Sequence, residues 1–332
     1  MKYRTLGATG IHVSEIGFGT WGLGGDHGGA VAYGPVHDDA SRAALQTALD
    51  RGVNFFDTAD LYGFGHSEEL LGEAFSSRRD SVVIATKGGF IDAAKQDFSL
   101  AHLGQALDGS LRRLRSDHVD LYQLHSPDIA TLRQQPEIIA FVERLRAAGK
   151  IRAWGFSARS PEEARQAIEE FHAPCVQVNF NLTDQRAITN GLFDLCAQHQ
   201  AGVIVRTPLC FGFLTGKYDS QTAFADSDHR RCWSEEQLQR WTEANEIFKF
   251  LFEANPSDTP AQLALRFCLS FPAVSTTIPG MLTGAHVHEN SSASDRGPLP
   301  MEMLRRAMQA GATNEFFIRR SNSTGEAKSP TK

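Results

Sequence analysis

A surplus of cations, paired cysteines and long apolar runs are all missing from this chain of 332 residues. Its 33 Lys and Arg are outnumbered by 39 Asp and Glu, giving a formal net charge of −6, the wrong sign for a general binder of nucleic-acid phosphates. No apolar run approaches the ~20 residues of a membrane span, and the opening MKYRTLGATGIHVSEIGFGTWG has no uninterrupted apolar core of signal-peptide type. A cytoplasmic protein without nucleic-acid or membrane partners is expected. The five cysteines, Cys175, Cys196, Cys210, Cys232 and Cys268, are odd in number, widely spaced and without a C-x-x-C, so neither a disulfide framework nor a zinc ribbon is indicated. They read as reduced, mostly buried thiols.

Nucleotide and metal fingerprints are missing too. Gly22-Leu23-Gly24-Gly25-Asp26-His27 fails G-x-G-x-x-G at its last position, and the pattern opening at Gly63-Phe64-Gly65 fails at Glu68. Neither G-x-x-x-x-G-K-[ST] nor H-E-x-x-H occurs, and His286-x-His288-Glu289 lacks a third ligand at recognisable spacing, so no metal site is expected.

What is present is a globular balance, 41% hydrophobic and 22% charged, arranged as short β-rich runs alternating with longer amphipathic stretches. Strands are expected at 16–21, 55–59, 81–86, 119–124, 151–156, 176–180, 203–207 and 274–278. Helices are expected at 38–52, 67–75, 100–114, 138–148, 160–171 and 189–199, with a long helical region after the seventh strand. Ser160-Pro161-Glu162-Glu163 supplies a capping hydroxyl, a first-turn proline and two acids at the positive end of the helix dipole. Eight strand and helix pairs in strict alternation, with no linker between them, predict an α/β chain forming a single (β/α)8 TIM barrel rather than an open doubly wound sheet. Residues 3–13, turning on Gly10, should form an N-terminal hairpin that could plug the barrel bottom. A helix around 301–310 forms a C-terminal extension packing outside the barrel or over its mouth. Residues 1–318 are thus expected to be one barrel domain, and the polar residues 319–332 a disordered tail.

In such a barrel the residues just past the strand C-termini face the active site. Three consecutive strands carry unexpected polar residues there: Asp57-Thr58-Ala59-Asp60-Leu61-Tyr62 after Phe55-Phe56, Lys87 after Ile84-Ala85-Thr86, and His125 after Leu121-Tyr122-Gln123-Leu124. Each singly has a structural explanation, but a lysine ending an apolar strand needs a counter-ion, and Asp57 on the neighbouring strand would supply it. The combination has chemical meaning. A phenol of ordinary pKa ~10 is a poor acid at neutral pH, and a neighbouring ammonium stabilises its phenolate. Tyr62 could then protonate a carbonyl oxygen as hydride reaches the carbon, with Lys87 tuning it, Asp57 holding Lys87 and His125 orienting the carbonyl. A carboxylate pair of Asp57 and Asp60 serving a hydrolase or lyase would leave Lys87 and Tyr62 unexplained.

Here the sequence resembles the aldo-keto reductase family over roughly residues 3 to 290. Phe56-Asp57-Thr58-Ala59-x-x-Tyr62-Gly63, Thr86-Lys87, Asp120-Leu121-Tyr122-Gln123-Leu124-His125, and Ile278-Pro279-Gly280 followed by Glu289-Asn290 are similar to its signatures in the right order. The resemblance implies that Asp57, Tyr62, Lys87 and His125 form a catalytic tetrad for carbonyl reduction by a nicotinamide cofactor, with Trp21, Tyr62 and His125 touching substrate. It implies carboxamide contacts from Ser157 and Gln177, although Ala158 stands where the family often has Asn. Arg206 would stack on the nicotinamide in place of an aromatic ring, or else pair with a barrel acid. Thr20, Trp21, Asp57, Thr207, Pro208 and Leu209 are further implied cofactor contacts. Ile278, Gly280, Thr283, His286, Glu289 and Asn290 would hold the pyrophosphate and adenosine end, where backbone N–H groups at a helix start suit an anion.

Relatives that grip the 2′-phosphate of NADP often carry Lys or Arg where Gly280 and His286 stand, and none occurs from 267 to 295. NADP(H) is the expected cofactor, with NAD(H) as the alternative. The partner is a small carbonyl compound, for which loops 22–37 and 209–233, with Phe211, Phe213, Phe224 and Trp233, leave hydroxylated and aromatic candidates open. A second reading is a regulatory subunit of the same fold that binds cofactor with little turnover. Monomer and homo-oligomer are both open.

Overall fold

The computed structural model describes residues 1–26, 32–219 and 221–318. The expected tail, 319–332, lies outside the described residues, as does part of the first long loop. Strands β1 (Tyr3–Thr5) and β2 (His12–Ser14) pair antiparallel, Tyr3 opposite Ser14. Their connection passes through Gly7, whose φ of +53° is left-handed and whose Cβ, if present, would stand 2.3 Å from the Gly202 backbone nitrogen. Leu6, Ile11 and Val13 of this hairpin are buried in one cluster with Phe55, Val83, Ala85, Leu121, Ala153, Cys175 and Ile204 of the barrel strands. The hairpin therefore plugs the barrel floor.

Eight parallel strands follow: β3 (Phe18–Gly19), β4 (Phe55–Asp57), β5 (Val83–Gly88), β6 (Val119–His125), β7 (Ile151–Ser157), β8 (Cys175–Asn179), β9 (Gly202–Arg206) and β10 (Val274–Thr277), neighbours in sequence order. Parallel bridges Ile16–Thr277 and Gly19–Gly280 join the first strand to the last. Across that seam Gly17 N donates to Thr277 O at 2.9 Å and Gly19 N to Pro279 O at 3.0 Å. The expected (β/α)8 barrel is closed.

The first strand is shorter than expected because the chain turns into a 3-10 segment at Trp21–Gly24. The helix expected at 189–199 is two, Arg186–Thr189 and Leu192–His199, divided at Gly191 with φ 74°. Ser160 caps Pro161–Phe171 as read, its hydroxyl accepting from Glu163 N. The long helical region resolves into Glu235–Ile247, Lys249–Ala254 and Pro260–Leu269 behind an irregular loop. The extension helix, Met301–Thr313, packs beside the barrel mouth, where Gln185 of the β8 loop donates to Ala307 O at 3.1 Å. Phe316 beyond it stacks on Phe248.

Of the cysteines, only Cys232 is exposed. Burial pushes the Cys196 and Cys210 thiols up to about 12, which makes them poor nucleophiles at neutral pH. Among the described residues no helix is long and apolar enough to cross a membrane, and no group of His, Cys, Asp and Glu could hold a metal ion.

Arg4 fastens the plug. It donates to Glu15 Oε1 at 2.8 Å, Val274 O at 2.7 Å, Leu269 O at 2.9 Å and Phe271 O at 3.2 Å. Arg4→Ala is expected to lower stability by about 2–3 kcal/mol, since it strips charge-assisted bonds and leaves the buried Glu15 without its counter-ion. Urea unfolding checks this as a lower midpoint at unchanged slope.

Candidate active site

Asp57 ends β4, Lys87 lies one residue before the end of β5 and His125 ends β6, so the alternation of side chains along parallel strands delivers all three to the barrel mouth. Tyr62 arrives from the turn after β4, where its N–H donates to Ala59 O. Lys87 is fully buried, and its ammonium donates to Asp57 Oδ1 at 2.5 Å, Thr58 O at 2.8 Å and the Tyr62 hydroxyl oxygen at 3.2 Å. Burial works against that charge, but Asp57 and Tyr62 outweigh it and hold the ammonium above the ordinary lysine range. The other Asp57 oxygen, Oδ2, accepts from Gln123 Nε2 at 3.0 Å and Gln177 Nε2 at 2.7 Å. Both oxygens of the buried Asp57 carboxylate thus have side-chain donors, while Gln123 Oε1 is buried without a partner.

Gln123 was not singled out from the sequence. Its signal was there: it stands two residues before His125 on β6, on the face whose other residues are Val119 and Leu121. Gln177, read as a carboxamide contact, is turned here toward Asp57 and lines the cavity beside it.

His125 sits between Tyr62 and Phe90, with ring centroids 6.1 and 4.7 Å away. Burial first, then the Lys87 and Arg206 charges, hold it well below the usual imidazole range, so it is neutral at pH 7. Its Nδ1 is buried without a partner. A bare acceptor is tolerated in a protein interior more readily than a stranded N–H, which assigns the proton to Nε2. His125 is thus a neutral hydrogen-bond donor beside Tyr62.

Arg206 ends β9. Its guanidinium donates to Asn179 Oδ1 at 2.7 Å, Ser157 Oγ at 2.9 Å and Ala158 O at 2.7 Å. Among the described residues it is not salt-bridged to a barrel acid; its hydrogen-bonded partners are neutral. Ser157 is consequently buried behind the guanidinium.

The cavity runs from Asp57, Tyr62, Gln177 and Arg206, past Trp21, Thr207, Pro208, Leu209 and Ile278, to Gly280, His286, Glu289 and Asn290. Three other expected contacts, Thr20, Thr283 and His125, do not line it. The Thr20 hydroxyl is buried, donating to Asp57 O at 2.9 Å and accepting from Ser67 Oγ at 2.7 Å. Thr283 caps helix Gly284–Arg296 by accepting from His286 N.

Tyr33, Lys217, Tyr218 and Arg230 also line the cavity and were not read from the sequence. Two loops distant in the chain meet here. His229 N donates to Ala32 O at 2.8 Å, and Trp21 packs edge-on against His229 and Tyr33 at 4.5 and 5.2 Å. Arg230 is paired with Asp228 and lies over the rings of Tyr33, Tyr218 and Phe224. Lys217 stands 3.8 Å from Glu289, a cation at the far end of the cavity that comes from another loop. Burial and Lys217 together hold His286 below the usual imidazole range, against the weaker opposing effect of Glu289.

A closed parallel barrel with an acid, a phenol, an amine and an imidazole at its C-terminal end has the layout of a barrel oxidoreductase. The chain matches the profile of the Aldo/keto reductase family over residues 15–311, and it belongs to that family. It is 32% identical over 293 residues to aldo-keto reductase yakc [NADP(+)] of Schizosaccharomyces pombe, covering 85% of this chain and 84% of that protein. It is 31% identical over 320 residues to a probable voltage-gated potassium channel subunit beta of Oryza sativa subsp. japonica, covering 90% and 93%. Among solved structures, glycerol dehydrogenase AKR11B4 from Gluconobacter oxydans superposes with a TM-score of 0.77 at 29% identity, covering 98% of each chain.

Proposed function

We propose that this oxidoreductase interconverts an aldehyde or ketone and its alcohol with NADP(H), Tyr62 being the general acid and base. The observation that carries the reading is the buried Lys87 ammonium donating at once to Asp57 and to the Tyr62 hydroxyl oxygen. That contact sets a fixed positive charge 3.2 Å from the oxygen that must surrender a proton. Asp57 keeps Lys87 charged and aimed, and Gln123 and Gln177 keep Asp57 aimed. The Nε2–H of His125 and the Tyr62 hydroxyl would converge on the carbonyl oxygen.

The dinucleotide, when bound, supplies or accepts the hydride. The residues present fit it. Asn290 is buried yet lines the cavity, and the Gly284 and Ala285 N–H groups, in the first turn of a 13-residue helix, have no intrahelical acceptors. Neutral His286 brings no charge to a 2′-phosphate, but Lys217 does, which together with the NADP(+) in the name of the yeast relative supports NADP(H) over NAD(H). Fluorescence titration of the four Trp with NADPH and NADH tests this, NADPH being expected to bind tighter. Lys217→Ala should weaken NADPH about tenfold, the worth of one lost ion pair to phosphate, and move NADH less than about twofold. Equal loss for both would place Lys217 elsewhere.

The channel-subunit relative favours one second reading, a cofactor-binding regulatory subunit. Negligible turnover by a cofactor-loaded protein across a broad carbonyl and alcohol panel selects it.

A further inference from the structure

The charged side chains on the cavity wall come in pairs with one exception. Asp57 holds Lys87, Glu289 faces Lys217 and Asp228 chelates Arg230. Among the described residues Arg206 alone on that wall has no carboxylate within ion-pair distance. Its three hydrogen-bonded partners, Asn179, Ser157 and Ala158, are all neutral acceptors. An arginine does not deprotonate inside a protein, so the charge stays. The Asp57–Lys87 pair sums to zero and His125 is neutral, which leaves Arg206 as the cavity-lining charge at the Tyr62 end without a paired partner; Asp57, Glu163 and Asp184 act on it only from beyond ion-pair distance.

This charge is close enough to matter to the chemistry. Arg206 lines the same section of the cavity as Asp57, Tyr62 and Gln177, and its field already acts on both His125 and Tyr62. A reacting carbon whose oxygen meets Tyr62 must have its hydride partner in contact with it, and hence in that section. The two forms of a nicotinamide differ there by one unit of charge: the oxidised ring is a cation and the reduced ring is neutral.

We propose that Arg206 is a positive charge without a directly paired carboxylate, which disfavours the oxidised nicotinamide relative to the reduced one and so makes the bound ring a stronger hydride acceptor. The inference rests on the cofactor reading above. In the oxidation step the alcohol C–H bond breaks and its electron pair forms the new C–H bond on the ring, which loses its positive charge. The alcohol proton passes to the Tyr62 oxygen. Reduction is the same step reversed. Arg206 therefore shifts the equilibrium between the two bound states toward carbonyl and reduced cofactor, while the equilibrium in free solution is unchanged. The site is poised for alcohol oxidation more than a barrel with a neutral side chain at this position would be.

The test is the ratio of dissociation constants for NADP+ and NADPH, in which everything common to the two forms, phosphates included, cancels. Tryptophan fluorescence titration supplies both constants for the wild type, Arg206→Gln and Arg206→Lys. Gln keeps a donor for Asn179 or Ser157 without the charge; Lys keeps the charge without the planar fork. Repulsion between two unit charges in a partly buried site predicts that the wild type binds NADPH about tenfold tighter than NADP+. R206Q should bring the ratio near one, and R206K should hold it within about threefold of the wild type. A wild-type ratio of one or less overturns the proposal without any variant. It is also overturned if R206Q leaves the ratio unchanged, or if R206K collapses it as R206Q does, since hydrogen bonding and not charge would then be responsible. Failure of the wild type to bind either form refutes the cofactor reading itself.

Discussion

Replacing Tyr62 with Phe should lower kcat by about a thousandfold, in the range of a lost general acid, while the NADPH dissociation constant moves less than about threefold. The substitution removes a single oxygen. The Tyr62 hydroxyl is one of three acceptors for the Lys87 ammonium, and the other two, Asp57 Oδ1 and Thr58 O, are shorter and buried. Lys87 therefore stays in place, and the ring of Phe at position 62 can keep the edge contact with His125. What disappears is the one proton donor backed by a fixed cation. The Nε2–H of His125 can still orient a carbonyl, but a neutral imidazole with a strongly depressed pKa is a poor proton relay. Steady-state kinetics with a carbonyl substrate and a parallel cofactor titration check both halves, and unchanged kcat would remove Tyr62 from the reaction.

Lys87→Met should do two kinds of damage. Turnover should fall by about 10²–10³-fold, because the charge beside the phenol oxygen is gone. Stability should fall by about 3–5 kcal/mol, because Asp57 is left as a buried carboxylate whose remaining side-chain donors among the described residues are Gln123 and Gln177. Asp57→Asn added to Lys87→Met removes the stranded charge and should recover most of the stability while restoring none of the turnover. Thermal or urea unfolding of the single and double variants measures the first, and kcat the second. If the double variant is less stable than Lys87→Met alone, the ion pair is not the unit that holds this end of the barrel.

Much of this was readable from the sequence, and for one physical reason. Barrel strands are apolar along their length, so a charged or imidazole side chain at a strand end stands out, and Asp57, Lys87 and His125 do so on three successive strands. The hairpin was readable through its glycines and its alternating apolar residues. Where strands and helices stop was less so. β3 is cut to Phe18–Gly19 by the turn at Trp21, and Gly191 divides a helix that periodicity alone runs together.

The meeting of Ala32 and Tyr33 with Asp228, His229 and Arg230 left no trace in the sequence, since contact between two long loops imposes no periodicity on either. Nor could spacing show whether Thr20, Ser157 and Thr283 face the cavity or the barrel's own backbone. The structure turns each of their hydroxyls to a protein partner. Arg206 was visible as an odd cation at a strand end. That it has no directly paired carboxylate among the described residues could be learned only by finding Asn179, Ser157 and Ala158 around it.

Single-turnover kinetics tests the central claim most directly. Enzyme loaded with NADPH is mixed with saturating carbonyl compound in a stopped-flow instrument, and the loss of reduced-cofactor absorbance is followed for wild type and Tyr62→Phe, in H2O and in D2O. Proton donation from Tyr62 in the hydride-transfer step predicts that the wild type slows in D2O, and that the variant is about a thousandfold slower with cofactor still bound. Equal rates for the two proteins, or one solvent isotope effect common to both, would contradict the assignment of Tyr62 as the proton donor.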